Sequence, residues 1–187
     1  MFFSFLPCVG NSCSNDEGKH FFGTFLRGCA FLISEVSMSK ERACCFFGHK
    51  SIPTETTEPL RRLVRSLITE ENVKTFYVGT HGEFDYMAYC VLKEMKKEFP
   101  DINYAVVLAY LPEKKEEYQL YSPDETLYPD GIEKVPKRYA ILWRNDWMLD
   151  RCDTMVCYVV HTAGGSGRML LKAQKKNKRI INLKNYA

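Results

Sequence analysis

From residue 42 onward, apolar runs and amphipathic stretches alternate. Arg42–Gly48 (RACCFFG) is a short apolar run closed by glycine, the mark of a buried strand. Glu58–Glu70 places Leu60, Leu63, Val64, Leu67 and Ile68 at helical spacing, with Pro59 near its start. Thr75–Thr80 (TFYVGT) predicts a second strand, and Phe84–Phe99 a helix with Met87, Ala88, Val91, Leu92 and Met95 on one face, stopped by Pro100. Tyr104–Leu111 (YAVVLAYL) predicts a third strand. Residues 112–137 carry four prolines and many charges and read as a long excursion, the kind of connection that is usually functional or mobile. A short strand or turn at Tyr139–Trp143, a helix at Asn145–Cys152, a strand at Thr154–His161, a helix at Gly167–Asn177 and a strand at Arg179–Leu183 complete the pattern.

Strands that are apolar on both faces and alternate with amphipathic helices imply a parallel sheet covered on both sides. Right-handed crossovers then give an α/β, single Rossmann-like three-layer domain with a mostly parallel sheet of about five strands. Residues 1–37 follow no period, whereas Met38 opens a charged start and then an apolar strand. The expectation is that residues 38–187 form the domain and that 1–37 are an atypical leader, either upstream translation or a poorly packed extension. Trimming to Met38 is expected to leave folding intact.

The chain has 187 residues, 45% hydrophobic and 26% charged, which suits one globular domain and excludes collagen, extended disorder and long coiled coil. A net charge of +3 is too near balance to point to nucleic acid. Arg168, Lys172, Lys175, Lys176, Lys178, Arg179 and Lys184 do crowd the end without an acid among them, and read first as a solvated helix face. Among eight cysteines, Cys44, Cys45, Cys90 and Cys157 sit inside apolar runs and no Cys-x-x-Cys pair occurs, so the chain reads as reduced and cytoplasmic, without a zinc site. No apolar run reaches the ~18 residues that cross a bilayer, so no membrane partner is expected.

In an open parallel sheet, ligands bind beyond the carboxyl ends of the strands. That rule selects three polar or glycine-rich turns, each between a strand and a helix. They are Gly48, His49 and Lys50; Gly79, Thr80, His81, Gly82, Glu83 and Asp85; and Thr162 through Gly167. Glycine lets backbone approach a phosphate, and the amides opening the next helix then face the anion. GGSG at 164–167 followed by Arg168 fits such a cradle, and it equally fits a tight strand-to-helix turn. His49 suits a phosphate donor, a proton carrier or a packing histidine. Asp85 opens a helix, where a carboxylate also favours the dipole, which leaves Glu83 the freer carboxylate. His81 and His161 are weaker candidates. Trp143 through Asp153 form the densest polar-aromatic cluster; Arg144 and Asn145 suit a phosphate clamp, with a Trp to stack on a base. GxGxxG and GxxxxGK[ST] are absent, which disfavours a nicotinamide dehydrogenase and a P-loop nucleotidase. No His/Asp/Glu group has metal-ligand spacing, and no cofactor is implied.

FFGHK after the first strand, VGTHGEFDYMAYCVLKEM after the second, RNDWMLDRCD before Thr154, and a Gly-rich turn followed by Ala173 before IINL resemble the SLOG (Smf/DprA–LOG) superfamily. The likeness is greatest to its small YpsA/YoqJ-like bacterial and prophage branch, and spans residues 40–184. The resemblance implies a pocket for a nucleotide or nucleotide-derived ligand. It carries Gly48 and His49, then Gly79, Gly82, Phe84 and Asp85, then Arg144, Asn145 and Asp150, then Gly164, Gly165 and Gly167 onto the family's motifs. It also implies a homodimer, since relatives often pair. LOG-type phosphoribohydrolases carry PGGxGT and a catalytic Glu; here Ala163 and Arg168 replace the Pro and Thr, and Leu170 and Leu171 stand where the Glu is expected. The expected function is therefore to sense or sequester a nucleotide or nucleotide derivative, such as an ADP-ribose-like molecule, with Gly48, His49, Gly79, Thr80, Gly82, Asp85, Arg144, Asn145, Gly164, Gly165, Ser166 and Gly167 as binding residues. The alternative is nucleoside-monophosphate phosphoribohydrolase-like N-glycosidic cleavage, with Glu83 or Asp85 as the acid–base group. A single-stranded nucleic-acid-binding or scaffold role through residues 168–184 ranks last, because aromatics are not interleaved with the lysines.

Overall fold

A computed structural model describes residues 42–111 and 120–186; the expectations for residues 1–37, including a start at Met38, lie outside the described residues. Six strands form one sheet: β1 (Arg42–Gly48), β2 (Val73–Val78), β3 (Asn103–Val107), β4 (Thr126–Leu127), β5 (Thr154–Tyr158) and β6 (Arg179–Asn182). The order is β4-β3-β2-β1-β5-β6, and every pairing is parallel. The helices are α1 (Thr57–Thr69), α2 (Glu83–Glu98), α3 (Lys137–Arg151) and α4 (Gly165–Lys175).

The core lies on both faces of the sheet, as the two-sided apolar strands require. Phe46, Phe76 and Val78 meet Leu60, Val64 and Leu67 of α1 and Phe84, Ala88 and Leu92 of α2. On the other face Cys45, Phe47, Met155 and Cys157 meet Met148 and Leu149 of α3 and Met169 and Ala173 of α4. The five cysteines within the described residues are free. Burial raises the thiols of Cys44 and Cys45 well above their ordinary range and that of Cys157 to about 12, so these behave as inert apolar groups.

Two elements differ from expectation. The strand or turn expected at Tyr139–Trp143 is the first half of α3, which runs unbroken to Arg151. Ala140, Arg144, Asn145, Met148 and Leu149 are its buried positions, at helical spacing. Two of the five are polar, so an apolar search misses the period. The sixth strand is β4, two residues within the proline-rich excursion, paired with Val106 and Val107. The stretch around it is tied to α2 and β3 by Glu125, whose carboxylate accepts the hydroxyl of Tyr89 at 2.7 Å and that of Tyr104.

The basic end is partly neutralised. Lys172 pairs with Asp146 of α3 at 2.6 Å, Lys176 with Asp150, and Arg179 with Glu71. Among the described residues no helix is long and apolar enough to cross a membrane.

Candidate functional site

The chain leaves β1 toward β2 on one side of the sheet, while β5 and β6 lie on the other. The topological switch therefore falls between β1 and β5, where parallel sheets open a crevice. A cleft of about 740 Å³ lies there. The turn after β1 contributes Gly48, His49 and Lys50; the region after β2 contributes His81 and Asp85; α3 contributes Arg144 and Asn145; the turn after β5 contributes His161, Gly164, Gly165 and Ser166. Three turns distant in sequence and one helix thus converge on one rim.

Most of the other sequence-predicted residues shape the walls from behind. A Cβ on Gly48 would sit 2.6 Å from Cδ1 of the fully buried Phe84 ring, so glycine there lets α2 close on β1. A Cβ on Gly79 would lie 2.6 Å from Arg144 Nη1 and collide with the Asp85 carboxylate. Gly82 has φ +117° and lies against the Lys50 backbone. Gly167 packs against the Thr162 backbone, where a Cβ would come within 2.6 Å of the Thr162 Cα. Thr80 touches His81 Nδ1 at 3.0 Å. Gly165 differs from these four: nothing lies within 4 Å of where its Cβ would be.

Arg144 and Asp85 form the buried floor. Arg144 is 1% exposed, and its Nη1 donates to Val107 O at 2.9 Å beyond the end of β3. Asp85 is 6% exposed and accepts the His81 N–H at 2.9 Å. Burial lifts the Asp85 pKa to about 6, with Arg144 and the His81 amide pulling it down. A folded pKa above the unfolded one gives stability that is present in acid and lost as pH rises. Wild type is therefore expected to lose about 3 kcal/mol relative to Asp85→Asn between pH ~4 and ~7. Urea unfolding of both proteins across that range checks this; parallel curves would disprove it.

His49 anchors the opposite wall. Its backbone N–H donates to Tyr158 O at 3.2 Å, its Nε2 accepts Val160 N–H at 2.9 Å, and its Nδ1 lies 3.1 Å from Ser166 Oγ. The His161 ring stacks on it at 4.2 Å. Burial, then the neighbouring His161, holds the His49 pKa below its ordinary value. The Val159–Val160 backbone is fixed by Asn182, whose side-chain amide accepts Val159 N–H at 3.1 Å and donates to Val159 O at 2.9 Å.

Other candidates lie elsewhere. Glu83 faces away from the cleft, and its carboxylate accepts Ile52 N–H at 3.0 Å and contacts Ser51 Oγ at 3.2 Å, so it orders the loop after β1. Asp150 is exposed and pairs with Lys176. Neither tryptophan lines the cleft: Trp147 meets Tyr77 edge-on at 5.5 Å, and Trp143 packs with Ile132 and Ala140. Sequence reasoning missed Asn182, Tyr158 and Ile141 and underweighted His161. Its strand-end rule reaches His161 once β5 is seen to stop at Tyr158.

No family model matches the chain, and no curated protein matches it in sequence. Solved structures of DNA processing protein A do resemble its fold. The Streptococcus pneumoniae protein aligns with TM-score 0.57 at 12% identity over 75% of this chain and 50% of its own. The Helicobacter pylori protein, described for its single-stranded DNA binding mode, aligns with TM-score 0.53 at 14% identity over 74% and 63%. This chain thus spans half to just under two thirds of those proteins. The class is a Rossmann-like α/β fold, shared with the DprA structures.

Proposed function

We propose that this domain, a cytoplasmic member of the YpsA/YoqJ-like branch, binds a nucleotide or nucleotide-derived molecule in the cleft between β1 and β5. The observation that carries this reading is the start of α4. Gly164, at the N-cap, has φ +92° and no side chain with which to accept from the first-turn amides. They open beside Ser166 and His49 onto space that nothing among the described residues fills at Gly165. Such a terminus attracts an anion by its amides and its dipole. Lys50 lines the same cleft and adds positive charge. The remainder of a nucleotide would lie toward Ile141 and Tyr158, which also line it.

Isothermal titration of the full chain with ADP-ribose, AMP and pyrophosphate tests the reading. Binding is expected, together with amide NMR shifts centred on residues 164–168. No binding by any of the three, with an unchanged Tm, would refute it. Asp85 favours a second reading, N-glycosidic cleavage: it is a carboxyl in the cleft that titrates near pH 6, where a general acid–base is effective. Release of free base from AMP, abolished in Asp85→Asn, would establish that chemistry. An oligothymidylate arm in the same titrations tests the behaviour for which the Helicobacter pylori protein is described.

A further inference from the structure

Ser166 and His49 look at first like a nucleophile and its base. The hydrogen bonds rule that arrangement out. Val160 N–H can only donate, so at 2.9 Å it requires a lone pair on His49 Nε2. The His161 N–H approaches the same nitrogen at 3.5 Å. A neutral imidazole has one N–H, which must then lie on Nδ1, 3.1 Å from Ser166 Oγ. With its hydrogen already on Nδ1, that nitrogen has no lone pair with which to take the serine proton. The serine oxygen instead accepts from it, and its own hydrogen is left to give. The stacked His161 ring, whose Nδ1 lies 3.2 Å from Ala163 O, braces His49 in that plane.

Building on the anion seat proposed above, the geometry points to His49 as a positioning residue that turns Ser166 into a fixed hydrogen-bond donor toward the ligand. The relay runs from Val160 N–H to His49 Nε2, and from His49 Nδ1–H to Ser166 Oγ. The serine O–H is then free to face the cleft, which Gly165 and Ser166 line. That subsite is donor-rich, since His49 Nδ1–H has taken one of the two Oγ lone pairs and the serine hydrogen is left to give. It favours a group that only accepts, such as a phosphoryl oxygen, over an ammonium, which can only donate.

The first test needs no ligand. Long-range proton–nitrogen NMR of the full chain, labelled at histidine and held at mildly alkaline pH, reads the tautomer. Hydrogen on His49 Nδ1 with Nε2 bare is expected; hydrogen on Nε2 overturns the relay. The second test is pyrophosphate affinity. Ser166→Ala, His49→Ala and His49→Gln are each expected to lose about tenfold. His49→Asn carries an amide nitrogen two bonds from Cβ, as Nδ1 is, and is expected to recover most of the affinity. Equal affinity in Ser166→Ala and wild type overturns the proposal, as does covalent labelling of Ser166 by a fluorophosphonate, which would reveal a base-activated hydroxyl. A wild-type chain that binds no pyrophosphate removes the seat and the relay's role together. The tautomer measurement separates that failure from an error about the ring.

Discussion

Arg144→Met is expected to destabilise the domain by roughly 3–5 kcal/mol, the range for removing one partner of a buried charged pair. The methionine preserves much of the apolar stem, so the loss isolates the guanidinium. Three things go with it: the bond to Val107 O at 2.9 Å, the contact of Nη2 with His81 Nδ1 at 3.4 Å, and the positive charge beside Asp85. Without that charge the Asp85 carboxyl rises beyond its present value of about 6. The penalty is therefore expected to grow with pH through that value, because only ionised Asp85 misses its neighbour. Denaturant titrations at pH ~5 and ~7.5 measure this. A penalty independent of pH would show that the two groups do not communicate.

Gly165→Ala is expected to divide stability from binding. With nothing within 4 Å of the added methyl and no positive φ, the substitution places a better helix former in the first turn of α4. It should stabilise the fold by up to ~1 kcal/mol. The same methyl fills the space where an anion would approach the amides, so pyrophosphate affinity should fall at least about tenfold, the effect of one charge-assisted hydrogen bond. Gly167→Ala is the control. Its methyl meets the Thr162 backbone, so stability itself should fall by about 1–3 kcal/mol. Thermal melts and titrations of both variants decide the matter: a Gly165→Ala protein that binds as well as wild type would place the anion elsewhere.

Much of this was legible in the sequence because the strands of a two-sided sheet are unbroken apolar runs. Phe46 and Phe76, or Met155 and Cys157, need no partner to be recognised as interior. The strand-end rule also selects from sequence the turns that hold His49, Asp85 and Ser166. What escaped it has a common physical reason. Burial of Arg144 and Asn145 interrupts the apolar period of α3, so a continuous helix looked like a turn and a shorter helix. Glu83 looked unengaged because its partners, Ser51 and Ile52, lie 32 and 31 residues away. Asn182 carries no signal at all, since an asparagine at the end of a strand is unremarkable until it is seen bonded to the backbone of Val159.

That asparagine bears on how a guest would be met. By imitating a peptide group, it extends the pairing of β5 to Val159, two residues beyond the last pair with β6, Cys157 with Asn182 itself. The chain can therefore turn sharply at Val160 without leaving loose backbone beneath the histidine stack. An opening held this way is shaped before anything enters it. Capture then demands little ordering of the protein, and the cost of complex formation falls on the guest's own freedom.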